Sequence, residues 1–326
     1  MNPEISVVIP TCNRKDILHK CMDALSRQSI EPHRYEIILV DDGSTDGTEQ
    51  SIDEIKGRLR CSFKYIRQKN KGPAAARNAG IRNTVAETVL IIGDDIIADT
   101  GLLLSHLNSH QKYPEENYAI LGNVTWAKNL KATPFMYWLE HGGCQSKLSE
   151  FKHEQKVEWR YFYTGNVSLK KVFLMKGDLF DEALPYATYE DSELGYRLVK
   201  RGLVIVHDKN ALAYHDHWIP LREHCRKAYY TGRTQYILVK KFSQENMEIS
   251  PFSNGLWNKA YKSLPVKAFN LLAIFLINAK LFSFLEKILN FAVKLSGKSW
   301  LYIIPLEIFR DRGFLDEKYK KKVKKI

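Results

Sequence analysis

The chain has 326 residues, of which 44% are hydrophobic and 26% charged, so it can build one large or two ordinary globular cores. Its formal net charge is +12, but residues 256–326 carry 15 Lys or Arg against 5 Asp or Glu, so the basic excess belongs to the tail. Five widely spaced cysteines without a Cys-x-x-Cys pair argue against a disulfide framework and a zinc cluster.

The N-terminal segment runs from Met1 into a strand-like pattern, without a basic n-region or a cleavable apolar stretch. We therefore expect no secretory signal and a reducing, cytoplasmic setting.

Strand and helix patterns alternate over the first ninety residues. Predicted strands are short β-branched apolar runs, and predicted helices have apolar residues three or four positions apart. In order, we expect a strand at Ile5–Pro10, a helix over 17–25, a strand at Tyr35–Val40, a helix at Thr45–Leu59, a strand at Ser62–Arg67, a helix from Pro73 and a strand at Val89–Ile92. This order predicts an α/β fold with a mainly parallel, Rossmann-like sheet flanked by helices.

The pattern is less regular after residue 117. We interpret residues 118–163 as a variable, loop-rich insertion able to shape an acceptor pocket. A helical pattern returns at Tyr189–Arg201, and the last strands are expected at Leu203–Val206 and Ala211–Tyr214.

Two acidic pairs follow predicted strands: Asp41-Asp42 directly, and Asp94-Asp95 after Gly93. Nucleotides bind at the carboxyl ends of strands in such sheets. Asp42 could accept hydrogen bonds from a base or ribose, and the second pair could hold a divalent cation, because hard cations prefer oxygen ligands. Acidic residues are also ordinary turn and helix-capping residues, and each pair alone leaves both interpretations open.

A third acidic pair, Glu190-Asp191, opens a predicted helix. A carboxylate in the first turn is kept ionised by the helix dipole and can act as a general base when it faces a cleft. Helix capping explains the same pair, so this motif alone decides nothing.

The combination of motifs is specific. The segments ISVVIPTCNR, VDDGSTDGT, GPAAARNAGI, IIGDDIIAD, TGNVSLKK, FDE, EDSELGYRLVKRG and YHDH follow one another over residues 4–217. In this order they resemble family 2 glycosyltransferases of the GT-A fold.

The resemblance implies a nucleotide-sugar site, most often for a UDP-sugar. It assigns donor binding to Pro10, Thr11, Asn13, Asp42, Arg77, Asn78 and Asp94. It makes Asp95 the principal ligand of Mn²⁺ or Mg²⁺, with Asp94 on the ribose or the water shell of the metal. His215 falls near the metal or diphosphate, with His217 as the competitor and a structural histidine as the alternative. Gly93 replaces the first Asp of the usual Asp-x-Asp motif.

The resemblance further implies an inverting single displacement. Asp191 would be the catalytic base, supported by Glu190, and would deprotonate an acceptor hydroxyl. The expected acceptor is a glycan or lipid-linked molecule in cell-surface polysaccharide or glycolipid synthesis.

Two other functions compete with sugar transfer. An inactive GT-A scaffold would lack carboxylates that are present here. A dinucleotide-dependent oxidoreductase needs Gly-x-Gly-x-x-Gly after the first strand, where PTCNRK stands instead. We expect no nucleic-acid partner, because the basic run carries no fold signature for RNA or DNA.

We expect residues 1–217 to form the GT-A domain and residues 218–326 a basic, partly amphipathic helical extension. Ala268–Leu285 is apolar apart from Lys280, and lysines at 280, 287 and 294 would lie opposite Phe282, Leu285, Leu289 and Ala292 on a helix. Together with the closing KKKVKKI, this predicts an in-plane helix on an anionic membrane, at the inner face of the cell membrane. An apolar helix packed on the protein is the alternative.

Overall fold

The computed structural model describes residues 2–141, 148–186, 188–243 and 279–319. The chain divides into two compact units: Met1–Lys131 with Leu148–His217, and Ala132–Lys147 with Trp218–Ile326. We call them the first and the second unit. Residues 132–147 are grouped with the C-terminal part of the chain and not with the residues that precede them.

The first unit is built on a nine-stranded mixed sheet with the order β3-β2-β1-β4-β8-β6-β9-β5, and β7 pairs with β9. β3, β2, β1 and β4 are parallel, whereas β8 is antiparallel to both β4 and β6. The strands are β1 Ile5–Thr11, β2 Tyr35–Asp41, β3 Ser62–Arg67, β4 Thr88–Ile92, β5 Ile96–Ala98, β6 Tyr118–Trp126, β7 Gln155–Val157, β8 Asn166–Lys170 and β9 Val204–His215.

Helices flank this sheet and form most of the described second unit. The helices are α1 Lys15–Leu25, α2 Ile52–Arg58, α3 Pro73–Arg82, α4 Leu102–Lys112, α5 Pro134–His141, α6 Lys171–Leu174, α7 Glu190–Lys200, α8 Leu221–Lys241, α9 Ala279–Ser296 and α10 Ile303–Lys318. The predicted α/β class with a Rossmann-like sheet and C-terminal helices is confirmed.

Two of the parallel strands, β2 and β4, are buried on both faces. Every residue of these strands is buried, which explains the apolar runs at 37–40 and 89–92. Helix α3 packs closely on β1. A Cβ atom on Gly80 would lie 2.4 Å from Val8 Cγ1. This contact leaves room only for glycine at residue 80.

Three predicted elements differ from the structure. The helix expected at Thr45–Leu59 begins as an α-helix at Ile52, because Gly47 has a φ of +86° and the carboxylate of Asp46 binds Thr48 in a turn. The supposed insertion contains β6, a long central strand of the sheet. The two last strands are one strand, β9, whose pairing with β6 shifts register between Gly122 and Asn123.

A polar network is buried beneath β8. His106 Nε2 lies 2.8 Å from Asn166 Oδ1, and Ser168 Oγ lies 2.8 Å from His106 Nδ1 and 2.9 Å from His110 Nε2. Burial lowers the pKa of His106 to about 4 and that of His110 to about 3. Both imidazoles are therefore neutral in the folded protein at neutral pH.

In the second unit, α8 and α10 pack backbone to backbone. A Cβ atom on Gly232 would lie 1.7 Å from the Arg310 carbonyl oxygen, and one on Gly313 would lie 1.8 Å from the Tyr229 carbonyl oxygen. The Tyr229 hydroxyl donates a hydrogen bond to Asp316 across the same contact at 3.0 Å. Two glycines therefore set the distance between these helices.

Part of the predicted tail lies outside the described residues, namely 268–278 of the apolar segment and the basic run at 320–326. Among the described residues, no helix is long and apolar enough to cross a membrane.

Candidate active site

The acidic pair after β4 lies beside the end of β1. The Thr11 hydroxyl donates to Asp94 Oδ2 at 2.8 Å. Arg14 spans the pair, donating from Nη1 to Asp94 Oδ1 at 2.8 Å and from Nη2 to Asp95 Oδ2 at 2.9 Å. Sequence reasoning missed Arg14, which stands inside the quoted TCNR motif and 80 residues away from its first partner.

Two histidines reach the same cluster from the end of β9. His215 Nε2 lies 3.1 Å from Asp95 Oδ2, because β5 pairs with β9 in a register that sets Ile96 opposite His215. His217 Nδ1 lies 3.3 Å from Arg14 Nη2. His215 therefore contacts the expected metal ligand itself, whereas His217 contacts the arginine.

The two aspartates have different charge environments. Burial raises the pKa of Asp94 to about 6 despite the positive charge of Arg14, and the charge of Asp95 adds to this rise. Burial acts in the same direction on Asp95, but its interactions with His215 and Arg14 outweigh it and hold the pKa of Asp95 below its ordinary value. Asp95 is thus the carboxylate that remains ionised at neutral and mildly acidic pH.

These residues fit a divalent cation that shares its shell with a ligand. The described residues include no group of three or more His, Cys, Asp or Glu that could hold a metal ion by themselves. Asp95 Oδ2 and His215 Nε2 converge to 3.1 Å, which provides one oxygen and one nitrogen donor. Mg²⁺ is commonly bound by one or two carboxylates together with substrate phosphates and water, so two protein donors suffice.

Loops at the ends of β1 and β2 are tied together by Asn13. Its backbone has a φ of +54°, its N–H donates to Ser44 Oγ at 2.9 Å, and its Oδ1 accepts from the Thr45 N–H at 2.7 Å. Pro10, the penultimate residue of β1, pairs with Val40 of β2. Asn13 therefore supports the predicted nucleotide loop by holding its backbone.

Asp42 organises the loop that precedes α3. Its Oδ1 accepts from Gln68 Nε2 and from the Lys71 N–H, each at 2.8 Å, and its Oδ2 accepts from the Gly72 N–H at 2.8 Å. The side chain is buried in these contacts, with Asp42 4% exposed. Asp42 therefore lies at the expected strand end, with its carboxylate hydrogen-bonded to this loop.

Asn78 also makes its side-chain hydrogen bonds within the protein interior. It donates to the Phe180 carbonyl at 2.9 Å and to Glu182 Oε1 at 2.7 Å, and it accepts from the Phe180 N–H at 2.9 Å. The residue is 2% exposed, so it anchors the 180–182 segment to α3.

Arg77, one residue earlier, joins α3 to the start of α7. Its Nη1 donates to Glu190 Oε1 at 3.0 Å and lies 3.8 Å from Asp191 Oδ1. Burial and the charge of Asp191 raise the pKa of Glu190, while Arg77 opposes this rise. The guanidinium lies over the Phe180 ring at 5.4 Å. The buried positive charge of Arg77 therefore connects α3 with the 180–182 segment and with α7.

Asp191 is held by the loop before β8. Thr164 donates from its N–H to Asp191 Oδ2 at 3.1 Å and from its hydroxyl to Asp191 Oδ1 at 2.8 Å. The Asp191 side chain remains 20% exposed, unlike the 10% exposed side chain of Glu190. Of the pair, Asp191 is the carboxylate more accessible to another molecule.

Tyr163 links the two acidic regions. Burial, followed by the charges of Asp95 and Asp191, raises the pKa of its hydroxyl. The charges of the predicted metal ligand and of the predicted base thus both reach this phenol. Sequence reasoning missed Tyr163, which directly precedes the quoted TGNVSLKK motif.

Comparisons with known proteins find glycosyltransferases. The family model described as glycosyl transferase family 2 matches residues 6–157. Validoxylamine A glucosyltransferase of Streptomyces hygroscopicus subsp. limoneus is 29% identical over 233 residues, covering 62% of this chain and 49% of that protein. Chondroitin synthase of Escherichia coli is 28% identical over 242 residues, covering 65% of this chain and 34% of that protein.

Solved structures share the fold. Mannosyltransferase PcManGT from Pyrobaculum calidifontis, solved with GDP-Man and Mn²⁺, aligns with a TM-score of 0.62 at 15% identity and covers 99% of this chain and 89% of that one. S. aureus TarS 1–349, solved with UDP, aligns with a TM-score of 0.53 at 15% identity and covers 99% and 93%.

The fold is thus that of the GT-A enzymes. Residues 6–157 match the model of glycosyl transferase family 2, and the two curated relatives described above are named as sugar-transferring or polysaccharide-synthesising proteins. The chain spans about half or less of the length of these two relatives.

Proposed function

We propose that this chain transfers a sugar from a nucleotide sugar, with UDP-sugars as the first donor class, to a hydroxyl of a glycan or lipid-linked acceptor. The observation that carries the proposal is the pair of carboxylates held in place by neighbouring side chains, Asp95 at 3.1 Å from His215 Nε2 and Asp191 by the Thr164 hydroxyl at 2.8 Å. One carboxylate can serve the diphosphate side and the other the acceptor side of a single displacement.

Asp191 has the chemistry of a general base. Thr164 holds both of its oxygens, so the carboxylate is oriented without being closed off from solvent. In the proposed step, the acceptor oxygen attacks the anomeric carbon, its proton passes to a carboxylate oxygen of Asp191, and the bond to the nucleoside diphosphate breaks. Attack from the face opposite the leaving group inverts the configuration.

Asp95 and His215 would hold the divalent cation, Mn²⁺ or Mg²⁺, and the bound cation would neutralise charge on the departing diphosphate. Arg14 lies at the same proposed site, because it forms ion pairs with Asp94 and Asp95. The proposed donor loops are held in shape by the contacts that Asn13, Asp42 and Asn78 make with backbone groups.

Calorimetric titration of UDP tests the donor site. With Mn²⁺ present we expect binding, with chelator we expect it to weaken strongly, and Asp95→Asn should behave like the chelated protein. GDP is the matched second ligand, because the PcManGT structure was solved with GDP-Man. If GDP binds and UDP does not, the UDP assignment is wrong; if neither nucleotide binds with metal present, the proposed transfer is wrong.

We also propose that the second unit attaches the enzyme to an anionic membrane surface, at the cytoplasmic face of the cell membrane. Helix α9 exposes a stripe of large apolar side chains at Phe284, Ile288, Phe291 and Leu295, which are 60%, 48%, 64% and 73% exposed. The spacings of four, three and four residues set them on one helix face. Exposed Lys287 and Lys294 stand beside this stripe, as in interfacial helices that meet anionic lipid.

The exposed stripe is not the face expected from the sequence. Phe282, expected to face lipid, is 3% exposed and packs on Phe309 of α10 with ring centroids 6.5 Å apart. The helix is apolar on two sides, and periodicity alone cannot tell which side the protein covers.

Sedimentation with vesicles tests the attachment. Phe284→Ser with Phe291→Ser should release the protein from phosphatidylglycerol vesicles, whereas Val239→Ser, at a 43% exposed valine of α8, should not. Phosphatidylcholine vesicles should bind the unaltered protein more weakly, because they lack the anionic charge. Equal binding by the double variant and the unaltered protein would show that α9 is not the attachment site.

A further inference from the structure

A cavity of about 330 Å³ opens on the first unit beside α1, and neither Asp95 nor Asp191 lines it. Lys20 of α1 and Arg27, two residues beyond the end of α1, both line it. The floor comes from Ile97 of β5 and Tyr214 of β9. The volume is at the lower end of the range of about 300–1,000 Å³ typical of small-molecule pockets, which suits one sugar unit.

Only some of the charged side chains that line this cavity have an ion-pair partner. Its two acidic side chains have partners: Asp216 accepts from Lys20 Nζ at 2.7 Å, and Asp23 accepts from Arg58 at 2.9 Å. Arg27 and Lys128, which also line the cavity, have no carboxylate partner within 4.0 Å among the described residues. Two cations are therefore available to an anionic ligand.

The cavity also has an aromatic surface held in a fixed orientation. The Tyr214 hydroxyl donates to Asp99 Oδ2 at 3.3 Å, and Lys128 Nζ lies 5.9 Å from the centre of the Tyr214 ring. The cavity is also lined by Ile97, Ala127 and Asn129, and Asn129 carries a side-chain amide. An aromatic ring, an amide and free cations in one pocket match a sugar ring that carries a negative charge.

We propose that this cavity binds an acidic sugar unit, with the ring against Tyr214 and the anionic group between Arg27 and Lys128. The proposed ligand class is a pyranose that bears a carboxylate or a phosphate. The binding claim stands on the cavity alone; assigning the acidic sugar to the acceptor rests on the proposed function.

The cavity adjoins the acidic cluster through Asp216. This residue lies between His215 and His217, and its N–H donates to the Asp95 carbonyl oxygen at 2.9 Å. A sugar in the cavity would therefore lie next to the segment that carries both histidines of the cluster. We assign the cavity to a unit of the acceptor other than the one that receives the new bond.

Saturation-transfer NMR with the full chain tests the proposal, using glucuronate, glucose 6-phosphate and glucose as separate probes and inorganic phosphate as a competitor of glucose 6-phosphate. Glucuronate and glucose 6-phosphate should bind, and glucose should bind at least about tenfold more weakly, because it lacks the charge-assisted hydrogen bonds. If inorganic phosphate binds as well as glucose 6-phosphate, the cavity is an anion site without sugar recognition, and the proposal is wrong. Equal binding of glucose and glucuronate would also overturn it.

A double variant, Arg27→Gln with Lys128→Gln, should weaken both acidic sugars at least about tenfold. The matched control, Arg60→Gln with Lys131→Gln, removes two exposed cations that do not line the cavity and should leave sugar binding unchanged. UDP binding should be the same in both double variants. A failed sugar titration with normal UDP binding therefore refutes the cavity alone, and a failed UDP titration refutes the proposed donor site alone.

Discussion

Thr164 holds both carboxylate oxygens of Asp191, donating from its backbone N–H at 3.1 Å and from its hydroxyl at 2.8 Å. The threonine precedes β8, and the aspartate is the second residue of α7. Because the two bonds approach different oxygens, they fix both the position of the carboxylate and the direction of its plane. A base that accepts a proton from a bound hydroxyl needs this orientation.

Asp191→Asn should abolish sugar transfer while leaving UDP affinity nearly unchanged. The amide has the shape of the carboxylate but cannot accept the acceptor proton, so we expect kcat to fall by about 10²–10⁴-fold. Turnover is measured as UDP release with the acceptor present, and UDP affinity by calorimetry. Asp178→Asn, in the loop before α7, is the control; an active Asp191→Asn protein would remove this residue from the base role.

Thr164→Val should lower kcat by about tenfold or more through loss of the hydroxyl that orients Asp191. The acceptor KM and UDP affinity should change little, because Thr164 acts on the base and not on the ligands. Thr164→Ser retains the hydroxyl and should restore most of the rate. If valine and serine behave alike, the hydroxyl does not position the base.

Acid should destabilise the first unit through its buried histidines. The pKa values of His106 and His110 are lowered to about 4 and about 3, against 6.5 for the unperturbed side chain. Between these values the unfolded chain binds more protons than the folded chain, so stability is full above about pH 6.5 and falls as the pH drops toward 4.

Urea unfolding at pH 7.5 and pH 5.0 measures this effect. At pH 5.0 each buried histidine should contribute a loss of up to about 2 kcal/mol, since one pKa unit corresponds to about 1.4 kcal/mol. His110→Gln should reduce the difference between the two pH values, and His33→Gln, at an exposed position, should not. An unchanged difference in His110→Gln would show that this histidine does not carry the pH dependence.

Gly232→Ala should destabilise the second unit, because the added methyl would lie 1.7 Å from the Arg310 carbonyl oxygen. Overpacking of this kind costs about 1–3 kcal/mol, and here backbone must move to relieve it. Gly57→Ala, in α2 with no atom within 4 Å of the new methyl, should instead be neutral or stabilising by up to about 1 kcal/mol. Thermal unfolding compares the two variants, and similar destabilisation by both would contradict the close helix contact.

The strands that sequence reasoning identified share one property: each is a local run with an unmistakable apolar pattern. β3 has the predicted bounds, and β1, β2 and β4 begin or end within one residue of them. β6 was missed because Gly122, Asn123 and Thr125 interrupt its apolar run, although the strand pairs with β8 and β9. Pairing partners on both sides stabilise a strand whose own composition is indistinct.

The sequence by itself determined the resemblance to family 2 glycosyltransferases, the α/β class and the identities of the acidic residues, because motifs and periodicity are properties of neighbouring residues. Tertiary structure decided what those residues contact. It joined Arg14 to Asp94 and Asp95, Thr164 to Asp191, and Arg77 to Glu190, across separations of 27 to 113 residues. It also decided which side of α9 the protein covers. Such contacts depend on how strands and helices pack, and packing is set by the whole chain, so no local pattern contains them.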